Sequence, residues 1–270
     1  MSDQGMNLPQ LVGTTTGPAS AGPVLLVSDL CKSYGGPIVL RGVSFAAFSG
    51  VSLAIIGANG SGKSTLLKCL IRLTDPSSGK IEMLGQSVGD LSARALRQFR
   101  SRVGVVWQKH NLVPRLSALS NVLHGVQARM SGPRSWWQWA APAHVRAEAM
   151  ACLARVGMAD KALQRVDSLS GGQQQRVAIA RMLMQRPELV LADEPDASLD
   201  PQSGEDVMRL LSDLARHDGL TLIVISHRLE HTLAFSDRII GLGNGVITLD
   251  VATTQADPHM LRRFFDKPIE

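Results

Sequence analysis

A glycine-rich stretch of eight residues has the residue types needed to hold a phosphate group. It fits the pattern G-x-x-x-x-G-K-[ST] without a mismatch. Its glycines let backbone N–H groups turn inward around phosphate oxygens, which a Cβ atom would obstruct. The lysine can reach the β- and γ-phosphates of a nucleotide, and the serine hydroxyl can bind Mg²⁺. The eight residues are Gly57, Ala58, Asn59, Gly60, Ser61, Gly62, Lys63 and Ser64.

The segments on either side of this loop also suit a phosphate site. Residues 51–56 form an apolar run that predicts a buried strand, and residues 64–71 predict a helix. The amino end of that helix adds a partial positive charge beside the loop. The alternative is a chance glycine turn before a helix. The loop by itself indicates a nucleotide and leaves the reaction open.

Two adjacent carboxylates follow another apolar run. Residues 189–192 predict a strand, and Asp193 and Glu194 come directly after it. Ligands of α/β sheets bind at the carboxyl ends of the strands, so we expect these acids beside the phosphate loop. There Asp193 can hold Mg²⁺, and Glu194 can accept a hydrogen bond from the attacking water. The alternative is an acidic turn on the surface.

A third motif predicts another helix whose amino end faces an anion. Ser170 is a favourable N-cap residue, and Gly171, Gly172 and Gln173 follow it at the start of a helical pattern. The glycines leave backbone N–H groups accessible, and the helix dipole favours negative charge there. Taken alone, the motif fits any capped helix. Two such helix ends for one triphosphate make sense if they act on its opposite sides.

The order of predicted elements indicates an α/β fold. Strands separated by helical stretches imply a mainly parallel sheet with crossover helices. Residues 1–22 are rich in Gly, Thr, Ser and Pro and are expected to form a disordered tail. The predicted helices span residues 91–101, 143–156, 173–185, 204–217, 229–235 and 259–265, and further strands are predicted at 24–27, 44–48, 80–84, 103–107, 221–226, 238–241 and 246–249.

Residues 109–168 have helix and loop signals without strand alternation. Ser120 and Asn121 predict the start of a helix that runs to Met130. Three of the four tryptophans lie within residues 136–139. They would form either an exposed docking patch or the packed tip of a helical hairpin, and we favour the packed tip.

Composition narrows the class of protein. The chain has 270 residues, 44% of them hydrophobic, and a formal net charge of +5. Nucleic-acid binding is only weakly supported, because the sequence has no Lys/Arg run with interleaved aromatic residues. Cys31, Cys69 and Cys152 lack metal-ligand spacing and are expected to be reduced and buried in a cytosolic protein. We find no signal peptide and no apolar run of the ~18–20 residues that span a bilayer.

Together these motifs resemble the ATP-binding subunit of an ABC transporter, over residues 24–249. All of them occur in the family's order, and four further positions match: Tyr34, Gln108, Asp200 and His227. The resemblance implies a P-loop NTPase ABC nucleotide-binding domain at 23–252, followed by a C-terminal tail at 253–270. That domain would contain a mainly parallel core sheet, an antiparallel β subdomain and an inserted helical subdomain at about 88–168.

The resemblance also implies a role for each motif residue. Tyr34 would stack on the adenine of ATP, and the phosphate loop with Thr65 would bind the phosphates. Glu194, His227 and Gln108 would serve hydrolysis, with His227 bracing the γ-phosphate. The Mg²⁺ ligands would be Ser64, Gln108 and Asp193.

The implied assembly is a homodimer that holds two ATP molecules between its subunits, because the chain carries one copy of each motif. Residues 170–173 would contact the ATP of the second subunit, and Asp200 would link the two sites. Membrane permease subunits would dock near Gln108, and a solute-binding protein would take part indirectly. The implied location is the cytoplasmic face of the inner membrane, as a peripheral subunit. No nucleic-acid partner is expected.

A narrower resemblance concerns the transported solute. Residues 111–117, Asn-Leu-Val-Pro-Arg-Leu-Ser, followed by Asn-Val-Leu at 121–123, resemble ATPases of phosphonate importers, which include phosphite and hypophosphite relatives. The chain departs from that pattern at Asp196, where an uncharged residue is expected. It also has Ser-His-Arg at 226–228, where Leu-His-Gln is expected. The implied function is ATP hydrolysis coupled to uptake of phosphonate or a reduced phosphorus oxyanion.

Other functions stay open at this point. The nearest alternative is an importer of another solute or an exporter, because the membrane partner decides direction. A soluble, non-transport ABC ATPase would usually carry two cassettes or a long coiled coil, and the chain has neither. A P-loop kinase or GTPase would leave residues 169–173 unexplained.

Overall fold

The computed structural model describes residues 22–130 and 141–265. The predicted disordered tail, apart from residue 22, and the tryptophans at 136–139 lie outside these residues. The strands are β1 (Leu25–Ser33), β2 (Ile38–Ala47), β3 (Ser52–Ile56), β4 (Ser78–Met83), β5 (Gln86–Ser87), β6 (Val103–Val106), β7 (Leu189–Asp193), β8 (Thr221–Ile225), β9 (Arg238–Gly243) and β10 (Val246–Ala252). The helices are α1 (Lys63–Leu70), α2 (Ala93–Arg102), α3 (Ala118–Leu123), α4 (Ala143–Arg155), α5 (Gly171–Leu183), α6 (Pro201–Asp218), α7 (Leu229–Phe235) and α8 (Pro258–Phe265).

The larger sheet forms the centre of the domain and has the strand order β10-β9-β3-β8-β7-β6. All its pairings are parallel except that of β10 with β9. Every residue of β3, β7 and β8 is buried. These strands are apolar along almost their whole length because helices cover both faces of a parallel sheet. The predicted α/β class with a mainly parallel core is therefore confirmed.

The smaller sheet is antiparallel and has the order β2-β1-β4-β5. It is the antiparallel β subdomain that the family resemblance implies. Its apolar face shares one hydrophobic cluster with α1 and the central sheet, including Leu25, Phe45, Leu53 and Leu66. This packing holds β2 beside the loop that precedes α1.

A set of helices packs on the other side of the domain. Helices α3, α4 and α5 contact one another, and their apolar residues belong to a second hydrophobic cluster that includes Val122, Leu153 and Ile179. Strand β6 falls in the same part of the sequence but pairs with β7 in the central sheet. The subdomain limits of about 88–168 stay a prediction. In the described parts of the chain, no helix is both long and apolar enough to cross a membrane.

The predicted start of the third helix is wrong. Ser117 is the N-cap of α3, where its Oγ accepts the Ser120 N–H at 3.1 Å. Asn121 is buried, and its side chain bonds instead to the backbone N–H and carbonyl of Val113. The α-helix ends at Leu123 and continues only as a 3₁₀ segment to residue 128.

Two smaller expectations also need correction. Helix α6 begins at Pro201, three residues earlier than predicted, because Asp200 caps it and proline is favoured in the first turn. Cys69 and Cys152 are buried, but Cys31 is only half-buried. Its Sγ accepts a hydrogen bond from the Gly42 N–H at 3.1 Å. All three thiols are free.

The contact between β4 and β1 makes Gly79 a sensitive position. Gly79 has φ +94°, and a Cβ atom there would lie 2.5 Å from the Asp29 carbonyl oxygen and 2.6 Å from Leu30 Cα. Gly79→Ala should lower the free energy of unfolding by about 2–4 kcal/mol, because strain and a backbone clash add. Gly85 has φ +73° but open space around it, so Gly85→Ala should cost only about 1 kcal/mol. Urea unfolding of the full chain measures the free energy of unfolding of both variants. Equal losses of stability in Gly79→Ala and Gly85→Ala would contradict the predicted clash at Gly79.

Candidate functional site

The phosphate loop joins the carboxyl end of β3 to the amino end of α1, as the sequence predicts. Gly57 has φ +153°, and a Cβ atom there would lie 2.2 Å from the Leu242 carbonyl oxygen and 2.8 Å from Ser61 Oγ. Gly62, the N-cap of α1, has φ +105°, and its Cβ would lie 2.9 Å from Leu40 Cδ2. Both positions therefore require glycine for packing against β9 and β2 as well as for the turn itself.

The Lys63 ammonium group lies within the loop. Its Nζ donates hydrogen bonds to the carbonyl oxygens of Gly57 at 2.7 Å and Ala58 at 3.1 Å. Lys63 is only 5% exposed. Burial lowers the pKa of Lys63, while the negative charges of Glu194 and Asp193 oppose that shift. A cation buried at this point can bind phosphate oxygens that enter the loop.

Ser64 and Asp193 place a hydroxyl group beside a carboxylate. Ser64 Oγ donates to Asp193 Oδ1 at 3.3 Å. Burial raises the pKa of Asp193 and the charge of Glu194 adds to this, whereas the hydrogen bond from Ser64 opposes it. Mg²⁺ prefers oxygen ligands and usually keeps several waters, so the pair fits a Mg²⁺ site. Across residues 22–130 and 141–265 no cluster of three or more His, Cys, Asp or Glu side chains offers an alternative metal site.

Glu194 follows β7 with an uncommon backbone conformation. Its φ is +47°, in the left-handed region that residues other than glycine seldom adopt. The Glu194 N–H donates to the Ile225 carbonyl at 3.1 Å, and Oε2 lies 3.6 Å from His227 Nδ1. Such strain persists only where neighbouring structure enforces it, and it is concentrated at functional sites. The structure thus brings the predicted carboxylate and histidine together.

A cavity of about 190 Å³ lies at the loop. Its walls include Asn59 and Gly60 from the loop, Thr65 from α1, Glu194 beyond β7 and Val39 from β2. The sequence motifs do not predict Val39, because an isolated valine in a strand gives no signal that separates a cavity wall from sheet packing.

Tyr34 lies in the turn between β1 and β2, close in sequence to Val39. It is 60% exposed, and Lys32 Nζ lies 4.7 Å from the centre of its ring. A tyrosine packed in an edge strand would be far less exposed, so this side chain has no such packing role. The exposed ring can stack on a planar ligand.

Gln108 follows β6 by two residues and is exposed. Its strand is parallel to β7, with Val106 opposite Ala192. Gln108 therefore lies beyond the same edge of the sheet as Asp193 and Glu194.

Ser170 begins α5 with a reciprocal pair of hydrogen bonds. Ser170 Oγ accepts the Gln173 N–H at 3.3 Å, and Gln173 Oε1 accepts the Ser170 N–H at 3.1 Å. This capping box leaves Ser170 and Gly171 exposed at the amino end of the helix. A Cβ atom on Gly172 would lie 3.1 Å from Ser203 Cβ, so α5 starts directly against α6.

Asp200 lies at the same junction as the N-cap of α6. Its Oδ1 accepts the Ser203 N–H at 3.0 Å, and this backbone hydrogen bond lowers the pKa of Asp200. The neighbouring Leu199 would lie 3.2 Å from a Cβ atom on Gly171. The loop before α6 and the start of α5 therefore form one surface.

The predicted residues fall into two groups. The phosphate loop, Gln108, Asp193, Glu194 and His227 meet at the carboxyl edge of the central sheet. Residues 170–173 and Asp200 lie at the junction of α5 and α6. Among the described residues no hydrogen bond or ion pair joins the groups. Helix α1 contacts β2 and β7, whereas α5 contacts α3, α4 and α6.

Comparison with known proteins identifies the family. The family model described as ABC transporter matches residues 40–197. The phosphite import ATP-binding protein of Stutzerimonas stutzeri is 46% identical over 244 residues, which cover 90% of this chain and 87% of that protein. The chain belongs to the ABC transporter family.

Two other relatives of this ABC protein carry different solute names. The phosphonates import ATP-binding protein of Frankia casuarinae is 45% identical, over 84% of this chain and 89% of its own length. The phosphate-import ATP-binding protein of Mycolicibacterium smegmatis is 46% identical, over 84% of this chain and 86% of its own.

A solved ATP-binding cassette has the same architecture as this ABC protein. It is a dimer in a post-hydrolysis state bound to ADP and phosphate, with a TM-score of 0.74 and 33% identity over 85% of this chain and 98% of that one. The predicted family, fold class and ATPase activity are confirmed: the chain is an ABC-type ATPase that binds ATP.

Proposed function

We propose that this ABC protein is the ATP-hydrolysing subunit of an importer for phosphonate or a reduced phosphorus oxyanion such as phosphite. The observation that supports an ATPase most directly is that the phosphate loop, Asp193, Glu194 and His227 lie together at one edge of the central sheet. The solute class rests on the phosphite and phosphonate relatives, which match most of the chain. Phosphate is a second candidate, because an equally similar relative is named for phosphate import.

Each site residue has a distinct task in this function. The phosphate loop and Lys63 bind the phosphates of ATP, and Tyr34 stacks on the adenine. Ser64, Asp193 and Gln108 would hold Mg²⁺, which when bound neutralises charge on the phosphates. Glu194 orients the attacking water.

His227 has a bracing role next to Glu194. Its Nδ1 is 3.6 Å from Glu194 Oε2, so one imidazole can contact both that carboxylate and a γ-phosphate. Such preorganised charges can supply several kcal/mol of transition-state stabilisation.

A second copy of the chain completes each site. Ser170 and Gly171 are exposed at the amino end of α5. Residues 170–173 of one subunit would contact the ATP held by the phosphate loop of the other. Asp200 would connect the two sites, because its loop packs against the start of α5.

The membrane permease would dock beside Gln108. A groove of about 390 Å³ lies between α2, β6 and α5, and its lining includes Trp107 and Asn111, on either side of Gln108 in sequence. The exposed Leu73 lies at the same groove. A short cytoplasmic helix of a permease subunit would occupy this groove, and movement of Gln108 would then reach the membrane. The chain would act at the cytoplasmic face of the inner membrane, and the solute-binding protein would contact only the permease.

The role of Glu194 is tested by its amide. Glu194→Gln should still bind ATP and accumulate an ATP-bound dimer, because the shape of the site is kept. ATP turnover should fall about 100-fold or more, as expected when a water-orienting base is lost. Phosphate release and size-exclusion chromatography with ATP measure the two effects. Glu188→Gln, which removes an acid before the other end of β7 that pairs with Arg102, is the control. Near-wild-type turnover in Glu194→Gln would refute the role.

Action across the dimer is tested at Ser170. Ser170→Arg places bulk and charge on the exposed helix end, so ATPase activity should be lost, by at least about 100-fold. ATP affinity of the dilute monomer should change by less than about twofold, which is within about 0.4 kcal/mol. Ser170→Ala is the control for loss of the cap alone, with a cost of about 1 kcal/mol in stability. Loss of ATP binding by the monomer would show that residues 170–173 act within one chain.

The solute is tested on the partner proteins. The full chain is purified with its permease and solute-binding protein, and calorimetry measures binding of phosphonate, phosphite, hypophosphite and phosphate to the latter. We expect a Kd of about 1 μM or tighter for a phosphonate or a reduced phosphorus oxyanion. Tighter binding of phosphate would favour the second candidate. Tight binding of an amino acid or sugar would refute this solute class.

A further inference from the structure

Asp196 is a fully buried carboxylate in the turn between Glu194 and Asp200. The turn is closed by hydrogen bonds from the Ala197 N–H to the Glu194 carbonyl and from the Leu199 N–H to the Asp196 carbonyl, both 3.2 Å. A buried carboxylate is costly unless it is paired. Asp196 is not among the residues that line the cavity at the phosphate loop, so the roles proposed above do not account for it.

Two basic residues that follow His227 pair with this carboxylate. His231 Nδ1 lies 2.6 Å from Asp196 Oδ2, and Arg228 Nε lies 3.4 Å from the same oxygen. Burial by itself would raise the pKa of Asp196, but the hydrogen bond from His231 and the charges of His231 and Arg228 hold it below its ordinary value. Asp196 Oδ1 has no partner among the described residues. Apart from a contribution of its own backbone, the favourable interactions of the Asp196 carboxylate are therefore with the segment that carries His227.

Arg228 extends this connection to the loop that carries Asp200. Its Nη2 donates to the Leu199 carbonyl at 3.4 Å. A Cβ atom on Gly204 of α6 would lie 3.3 Å from both Arg228 Nη1 and Asp196 Cβ. The Arg228 guanidinium group therefore lies between the turn that carries Asp196 and the first helical turn of α6. A side chain larger than that of glycine at position 204 would be in tight contact with both.

The same segment is tied to the sheet on its other side. Ser226 N–H donates to the Ile55 carbonyl at 3.2 Å, and Ser226 Oγ accepts the Arg228 N–H at 3.1 Å. His227 lies between these residues, and its Nδ1 is 3.6 Å from Glu194 Oε2. Glu194 itself has a strained backbone, so its position depends on neighbours that hold it there.

We propose that Asp196 is a positioning residue for ATP hydrolysis, which acts through Arg228 and His231 to hold His227 against Glu194 and to set the loop of Asp200. The proposal rests on the roles given to Glu194 and His227 in the proposed function. Asp196, Arg228 and His231 form a buried charged cluster that joins the strand end, the histidine segment and α6.

The test compares Asp196→Asn with Asp218→Asn in the full chain. Asp218 also pairs with an arginine and a histidine, Arg155 and His217, but at the far end of α6. Asp196→Asn should lower kcat about 10- to 100-fold, because small displacements of reacting groups cost that much, while KM for ATP stays within about twofold. Asp218→Asn should keep both constants. Unchanged kcat in Asp196→Asn, or equal losses in the two variants, would overturn the proposal.

Variants of the partner residues keep the test decisive if Asp196→Asn folds poorly. Asn in place of His231 can donate from the position of Nδ1, so His231→Asn should retain most of the kcat that His231→Leu loses. Arg228→Gln should lower kcat, and adding Asp196→Asn should lower it by less than the product of the single effects, as expected for coupled residues. Multiplicative losses, or equal activity of the two His231 variants, would contradict the cluster.

Glu194→Gln separates this proposal from the one on which it rests. If Glu194→Gln loses turnover and Asp196→Asn does not, only the positioning role is refuted. If Glu194→Gln keeps turnover, the proposed hydrolytic site is itself refuted.

Discussion

Backbone pairing among β3, β8 and β7 places the phosphate loop, Asp193, Glu194 and His227 at one edge of the central sheet. The hydrogen bonds continue past the strand ends, from the Ser226 N–H to the Ile55 carbonyl and from the Glu194 N–H to the Ile225 carbonyl. These strands are buried along their whole length, so a shift of register by one residue would disturb apolar packing on both faces. The groups proposed to bind and hydrolyse ATP thus take their spacing from a buried apolar sheet, although they belong to segments far apart in sequence.

The electrostatics of the site explain why the loop alone is an incomplete binding site. Lys63 faces two carboxylates, Asp193 and Glu194, and burial lowers the pKa of the lysine while it raises that of Asp193. These three side chains supply no net positive charge for a polyphosphate. In the proposed function, the attraction would come from backbone N–H groups, the amino end of α1, a divalent cation and a second helix end. In the proposed dimer, the exposed start of α5 from the other subunit would supply the last of these.

Features that depend on neighbouring residues were predictable, and those that depend on distant contacts were not. The strand–loop–helix order of residues 51–71 and the strand before Asp193 follow from local apolar patterning, and the structure reproduces them. The start of α6 could also have been predicted from the sequence, since Asp200 is a favourable N-cap residue and Pro201 is favoured in the first helical turn. Asn121 misled the helix prediction because its amide satisfies Val113 in a preceding loop. Val39 became a cavity wall only through the packing of the antiparallel sheet on α1.

The buried ion pair of Asp196 and Arg228 connects two of the sequence motifs. The two positions at which the sequence departs from the phosphonate-importer pattern with a charged residue, Asp196 and Arg228, lie 3.4 Å apart and pair with each other. A buried ion pair adds little to stability compared with apolar residues of the same size, so stability is a weak reason for its presence. Its geometry is a stronger one, because it joins the turn after Glu194 to the segment that carries His227. Asp196, which in the sequence follows the acidic pair Asp193 and Glu194, is thus paired with the segment that carries His227.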